Sequence, residues 1–184
     1  LGALTNKMRE AGAEIDADDD VYRVRASESL RATDIQTYPY PGFPTDLQAP
    51  FTTMLTQAEG NSSVYETMYD GRLGYVKELA RMGGAIDVSG SGRMAMVHGP
   101  TPLHGAEVTA LDIRSGAAMI LAGLAAEGTT QIANVVYIDR GYQDVEAKLR
   151  ELGAAISRIE ETRHLCPEVD CAQPIEWQAL SAGE

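Results

Sequence analysis

Cysteine is nearly missing from this 184-residue chain: Cys166 and Cys171 are its two, both close to the C-terminal end, so no disulfide framework organises the fold. Long apolar runs are missing as well. Nothing approaches the roughly 18 to 20 consecutive apolar residues that span a bilayer, and no basic segment with an apolar core opens the sequence. Positive charge is in deficit, 15 Lys and Arg against 27 Asp and Glu, for a formal net charge of -12. That balance argues against nonspecific binding to nucleic acid or to an anionic membrane. A soluble, cytoplasmic protein is expected, in which any anionic ligand must meet arginines gathered locally.

What is present is a core-sized apolar content, 44% of residues, and internal repetition. KMREAGAEI, ELARMGGAI and KLRELGAAI each run helix, glycine, short apolar strand. Gly12, Gly83 and Gly153 recur about 70 residues apart, each suited to the left-handed position that ends a helix. DLQAPFTTMLTQAEGNSSV and RSGAAMILAGLAAEGTTQI also match, reading as a helix that ends in Ala-Glu-Gly before a β-prone run. Asp46 and Arg114 stand equally far before Gly60 and Gly128. Strands at 64–67 and 132–136 alternate with these helices, and hairpins are expected around the acidic turn Asp16 to Asp20 and the flexible turn Ser89 to Gly92. The Asp run lacks the glycine and distal glutamate of a calcium loop and reads as a solvated turn. The pattern predicts an α/β fold with two full repeats and part of a third over residues 1–160. Residues 161–184 read as a loosely ordered extension. Because the first residues already form an amphipathic helix on Leu4, Met8 and Ala11, a piece of something longer is expected.

One stretch raises a chemical question. In YPYPGFPTD, Pro39, Pro41 and Pro44 exclude a helix and predict a stiff, extended lead-in that aims Asp46. An N-cap role, contributing roughly 0.5–2 kcal/mol, accounts for such an Asp without any chemistry. Pro50, however, has no N–H for the carbonyl of residue 46, which leaves Asp46 outside the regular helix and free to face a cleft. Arg72 in DGRLGY, Arg114 in DIRSGA and Arg140 in IDRGY all fall in the lead-in or first turn of expected helices, where the macrodipole disfavours a cation. Three arginines held there suggest an anion site. The competing account, that Asp70, Asp112 and Asp139 neutralise them locally, covers one loop comfortably and three poorly. His98 and His104 read as surface residues, and Trp177 as a cap on an apolar patch. The loose spacing of His164, Cys166 and Cys171 predicts no metal site.

Four segments, FPTDLQAPF, ETMYDGRLGYVKELARMGG, DIRSGAAMILAGLAAEGTT and YIDRGYQDVEAKLRELGA, resemble in unbroken order the UDP-N-acetylglucosamine 1-carboxyvinyltransferase family of enolpyruvyl transferases, which open peptidoglycan synthesis. The resemblance implies two similar domains, each an inside-out α/β barrel of three βαβαββ units, with the active site in the cleft between them. It implies transfer of the enolpyruvyl group of phosphoenolpyruvate to the 3-hydroxyl of UDP-N-acetylglucosamine, without a cofactor. Asp46 matches the carboxylate proposed as base, Thr45 flanks it, and Met68 and Tyr69 match the segment along the acetamido sugar. Arg114 and Arg140 match arginines on the phosphoenolpyruvate side, and Arg72 another cleft arginine. The family's cysteine-bearing loop, a lysine and further arginines are not in this sequence, so the chain alone is expected to lack turnover. The alternatives are a 3-phosphoshikimate transferase, a nucleotide-sugar-binding module without chemistry, or a structural repeat; the FPTD and IDRGY segments favour the amino-sugar enzyme over the first.

Overall fold

The structure, a computed structural model, describes residues 2–18, 21–25 and 29–159. Helix α1 (Gly2–Glu10) leads into a hairpin of β1 (Glu14–Ala17) and β2 (Tyr22–Arg25). Then come β3 (Leu30–Arg31), β4 (Ile35–Gln36), α2 (Gln48–Leu55), β5 (Ala58–Tyr65), α3 (Val76–Arg81), β6 (Ile86–Val88) and β7 (Met94–Gly99). The last part holds β8 (Glu107–Thr109), α4 (Ile113–Ala125), β9 (Gln131–Ala133), α5 (Val136–Asp139) and α6 (Val145–Glu151). Single 3-10 turns, Thr45–Leu47 and Arg72–Tyr75, feed α2 and α3. The mixed α/β class agrees with the sequence reading.

Strand β5 is the hub of the main sheet. β3 and β4 pair with it in parallel along one edge, and β7 pairs antiparallel along the other, with Val64 opposite Ala95 and Ser62 opposite Val97. β6 completes the predicted hairpin with β7. β8 and β9 form a separate parallel pair, as a crossover through α4 requires. The core gathers Ile35, Phe43, Phe51, Leu55, Val64, Leu79, Met82, Val97, Val108 and Met119, and Phe43 meets Phe51 edge to face at 5.2 Å. Among the described residues no helix is long and apolar enough to cross a membrane.

The repeated glycines do what their spacing predicts. Gly83 N–H donates to Ala80 O and Gly84 N–H to Leu79 O; Gly12 with Ala13, and Gly153 with Ala154, repeat the same pair of bonds at the ends of α1 and α6. All three glycines have φ near +100°, at 101°, 95° and 96°. This is the Schellman closure, which satisfies carbonyls that the helix end leaves free.

Three expectations change. α2 stops at Leu55, so Ala58-Glu59-Gly60 belongs to β5 rather than to a helix end. The hydroxyls of Thr52, Thr53 and Thr56 donate to the carbonyls of Gln48, Ala49 and Thr53, while Thr101 N–H takes Thr56 O, so the chain is handed to a neighbouring segment instead of continuing the helix. The second Ala-Glu-Gly likewise lies beyond α4, and Glu127 bonds to residues 103 and 105. β9 ends at Ala133, because Val136 already opens α5. The proline stretch is a closed turn, not an extended arm: Gly42 N–H donates to Pro39 O, Tyr38 N–H to Phe43 O, and the Tyr40–Pro41 peptide is cis. A side chain at Gly42 would collide with that of Tyr38.

Candidate functional site

Asp46 sits in the middle of the 3-10 turn before α2, and its side chain caps neither that turn nor the helix. The N-cap account therefore does not hold. The carboxylate is 74% exposed and turns toward two guanidinium groups: Oδ1 lies 3.3 Å from Arg114 Nη1 and 4.0 Å from Arg72 Nη1. The geometry follows from the repeats. α2 and α4, the two matching helices, pack against each other, so the residue leading into one meets the first turn of the other.

Arg114 is the second residue of α4 and is held from behind. Asp112 caps the helix, accepting from Arg114 N–H at 2.8 Å and Ser115 N–H at 2.9 Å, while Ser115 Oγ accepts from Asp112 N–H at 2.8 Å. Asp112 Oδ2 also pairs with Arg114 Nη2. A capping box of this kind satisfies the helix's free donors and offsets the dipole's penalty on the arginine. For this loop the local ion-pair account is correct. For the other two it is not: Asp70 pairs with Arg93 at 2.5 Å, and Asp139 with Arg158 at 2.7 Å. Arg72 instead lies 4.4 Å from the centroid of the Tyr69 ring, and its Nη1 is buried with no hydrogen-bond partner among the described residues. A buried donor of this kind invites an acceptor.

Arg140 departs from the expectation. It is the C-cap of α5, exposed, with its guanidinium 5.4 Å from the Tyr137 ring, and it is not brought to Asp46. At a C-terminus the dipole favours a cation, so the strain argument does not apply to it.

The segment carrying Met68 and Tyr69 is fixed by residues that the sequence reading passed over. Glu66, 1% exposed, accepts from Met68 N–H at 2.7 Å, Tyr69 N–H at 3.1 Å and Thr37 Oγ1 at 2.8 Å on one oxygen. Its other oxygen accepts from Thr45 Oγ1 and Gln48 Nε2, both at 2.8 Å. Arg93 clasps the same segment from outside through Asp70 and the carbonyls of Glu66 and Thr67. Neither residue belongs to a local motif; only Asp112, in a D-x-x-S run before apolar residues, carried a readable signal.

Thr45, Gln48, Arg72, Tyr75, Asp112, Arg114 and Ser115 line a cavity of about 60 Å³. A complete small-molecule site holds roughly 300–1,000 Å³, so this corner seats one ionic group rather than a whole substrate. His98 lies apart, bonded to Asn61 and Asp87 on the exposed sheet. Among the described residues no group of three or more His, Cys, Asp or Glu is placed to hold a metal ion. His164, Cys166, Cys171 and Trp177 lie outside the described residues.

Fold and site together define an α/β protein in which two arginines and the carboxylates of Asp46 and Asp112 meet at one polar corner, with one buried Arg72 nitrogen left without a hydrogen bond among the described residues. The chain belongs to the EPSP synthase (3-phosphoshikimate 1-carboxyvinyltransferase) family, whose model matches residues 1–168. It is 46% identical over 92% of its length to UDP-N-acetylglucosamine 1-carboxyvinyltransferase 2 of Bacillus cereus, covering 39% of that protein. It is 49% identical over 88% of its length to UDP-N-acetylglucosamine 1-carboxyvinyltransferase of Gluconacetobacter diazotrophicus, covering 38% of it. The chain thus spans about two fifths of these curated relatives. The enolpyruvyl transferase NikO from Streptomyces tendae superposes with a TM-score of 0.77 at 28% identity, over 84% of this chain and 35% of that one. An EPSP synthase from Acinetobacter baumannii shares the fold at a TM-score of 0.53 and 18% identity, over 71% of this chain and 31% of that one.

Proposed function

We propose that this chain is part of an enolpyruvyl transferase that moves the enolpyruvyl group of phosphoenolpyruvate onto the 3-hydroxyl of UDP-N-acetylglucosamine, in the cytoplasm, as a step toward peptidoglycan. The observation that carries the reading is the Asp46 carboxylate 3.3 Å from Arg114 at the edge of a polar cavity that Arg72 also lines. The choice of acceptor is supported by the 46% and 49% identities to relatives named for UDP-N-acetylglucosamine.

In this reading Asp46 takes the proton of the attacking hydroxyl as its oxygen bonds to the enol carbon, while the C=C π bond breaks and the methylene carbon takes a proton from an acid that the second domain would supply. Arg114 and Arg72 offset the charge on phosphate and carboxylate as the tetrahedral intermediate forms; in its collapse the C–O bond to phosphate breaks, the new methyl group gives up a proton and the C=C bond re-forms, releasing inorganic phosphate. Thr45, Met68 and Tyr69 line the sugar side. Arg140, which is not brought to Asp46, is assigned to the donor side on the match of its IDRGY segment alone. Residues 1–160 would form part of one inside-out α/β barrel domain, residues 161–184 an extension, and the second domain would supply the facing wall. The small cavity supports this incompleteness.

The test is Asp46→Ala in the full-length protein, assayed by phosphate release with both substrates. Loss of a general base predicts kcat about 10²–10⁴-fold lower with folding retained. Unchanged kcat would remove Asp46 from the chemistry, and a pure binding module would show no phosphate release from the parent protein either. Turnover with 3-phosphoshikimate in place of the sugar nucleotide would reassign the acceptor.

A further inference from the structure

We infer that Glu66 is the positioning residue of this site: one buried carboxylate holds the Asp46 turn and the Met68–Tyr69 segment in register. The inference rests on the functional reading above. A carboxylate removed from water is costly unless its oxygens are hydrogen-bonded, and an apolar residue of similar size fills a core at least as stably. Glu66 therefore needs a reason beyond packing. Its five donors come from three separate stretches: Thr37 after β4, Thr45 and Gln48 around Asp46, and the backbone of Met68 and Tyr69. Four of the five belong to residues proposed to line the sugar side, or to one two positions from Asp46.

The two oxygens divide the work. Oε2 takes Thr45 and Gln48, the residue before Asp46 and the one two after it, and so fixes the turn that presents the carboxylate. Oε1 takes the amides that open the segment ending at Tyr69, whose ring lies against the Arg72 guanidinium. Asp46 and Arg72 are thereby referred to a single buried point, though neither touches it. Gln48 extends the network inward, since Tyr75 Oη lies 3.2 Å from Gln48 Oε1 and donates to Thr52 Oγ1 at 2.9 Å. A carboxylate only accepts, and five donors converge on its roughly four lone-pair sites, three of them sharing Oε1. An amide at 66 turns one acceptor into a donor that faces Thr45 and Gln48, and the turn loses its anchor.

The experiment uses the full-length protein with Glu66→Gln, and with Glu66→Gln combined with Gln48→Glu, which exchanges donor and acceptor across the same contact. Displacing a reacting group by about 1 Å can cost ~10²-fold, so Glu66→Gln is expected to lower kcat about 10- to 100-fold with a smaller change in KM. The exchange is expected to recover most of that loss. A merely structural glutamate would lower the melting temperature without this kcat-specific loss and its recovery. A folded Glu66→Gln protein with kcat within about twofold of the parent overturns the inference, as does a folded double variant with no recovery. If Glu66→Gln does not fold, isosteric Thr37→Val, which removes one donor to Glu66 together with the acceptor of Thr67 N–H, decides: kcat reduced threefold or more supports the claim and unchanged kcat overturns it. Should the parent protein release no phosphate, the transferase reading fails by itself. Positioning is then decided by crystal structures of parent and variant, where a shift of the Asp46 carboxylate of about 1 Å against Arg114 supports it and an unmoved carboxylate overturns it.

Discussion

At the scale of single residues, the site is built by holding each functional group through a second polar one. Arg114 is set by Asp112, so Asp112→Ala is expected to remove the cap of α4 and destabilise the fold by about 0.5–2 kcal/mol, measurable by urea denaturation. The guanidinium loses its second carboxylate at the same time. Tyr75 offers a pH test. Burial pushes its phenol well above the usual range, and the nearby Glu66 carboxylate pushes the same way against an opposing hydrogen bond with Thr52. A folded-state value above the unfolded value of about 10 means that the neutral phenol is the form the fold prefers. Its contribution is complete below about pH 10 and is lost as the pH climbs from there toward the folded value. Melting temperatures at pH 8 and 10.5 should fall more for the parent than for Tyr75→Phe, which has no phenol to ionise.

At the scale of elements, the same helix closure recurs with different surroundings. Gly83 and Gly153 both have positive φ, yet a Cβ on Gly153 meets nothing within 4 Å among the described residues, whereas on Gly83 it meets the His104 ring at 2.8 Å and Pro102 O at 3.1 Å. Gly153→Ala should therefore cost about 1 kcal/mol from backbone strain alone, and Gly83→Ala distinctly more. Equal losses in denaturation midpoints would contradict this. The α5–α6 segment gives a second test. Arg158 hydrogen-bonds to Asp139 of α5 at 2.7 and 3.0 Å and to Glu146 of α6 at 2.9 Å, which holds both carboxylates below their usual range. Depressed values place this contribution above the ordinary carboxylate range, and it is lost as the pH falls through the folded values. Arg158→Ala should raise both titration midpoints in carboxyl NMR.

At the scale of the whole molecule, the main core joins the large sheet to α2, α3 and α4, and a smaller cluster of Ala110, Ile120 and Ile138 seats α5 and α6. Leu79 is fully buried, and Leu79→Ala is expected to cost about 2–5 kcal/mol. Leu152, 84% exposed, should tolerate alanine within roughly 0.5 kcal/mol. The chain spans 39% of its Bacillus cereus relative, and its polar corner has about 60 Å³. The 184-residue chain alone is accordingly expected to release no phosphate from the two substrates, and turnover by it would contradict the need for a facing domain.

The sequence by itself determined the local devices, because each is written in neighbouring residues: the three glycine closures, the two hairpins, the D-x-x-S cap and the alternation of helix and strand. It also marked Asp46, Arg72 and Arg114, through a carboxylate without a cap to make and arginines placed against a dipole. Tertiary structure alone decided which of these meet. α2 packs on α4 and brings Asp46 to Arg114, while Arg140 falls at a helix end elsewhere, although its motif reads like that of Arg72. Asp70 and Asp139 found partners in Arg93 and Arg158, each about 20 residues away in the chain. Glu66 stayed hidden in the sequence for the same reason. Its role depends on donors contributed from residues 37 to 69, and no local pattern records contacts that exist only once separate stretches are packed around one point.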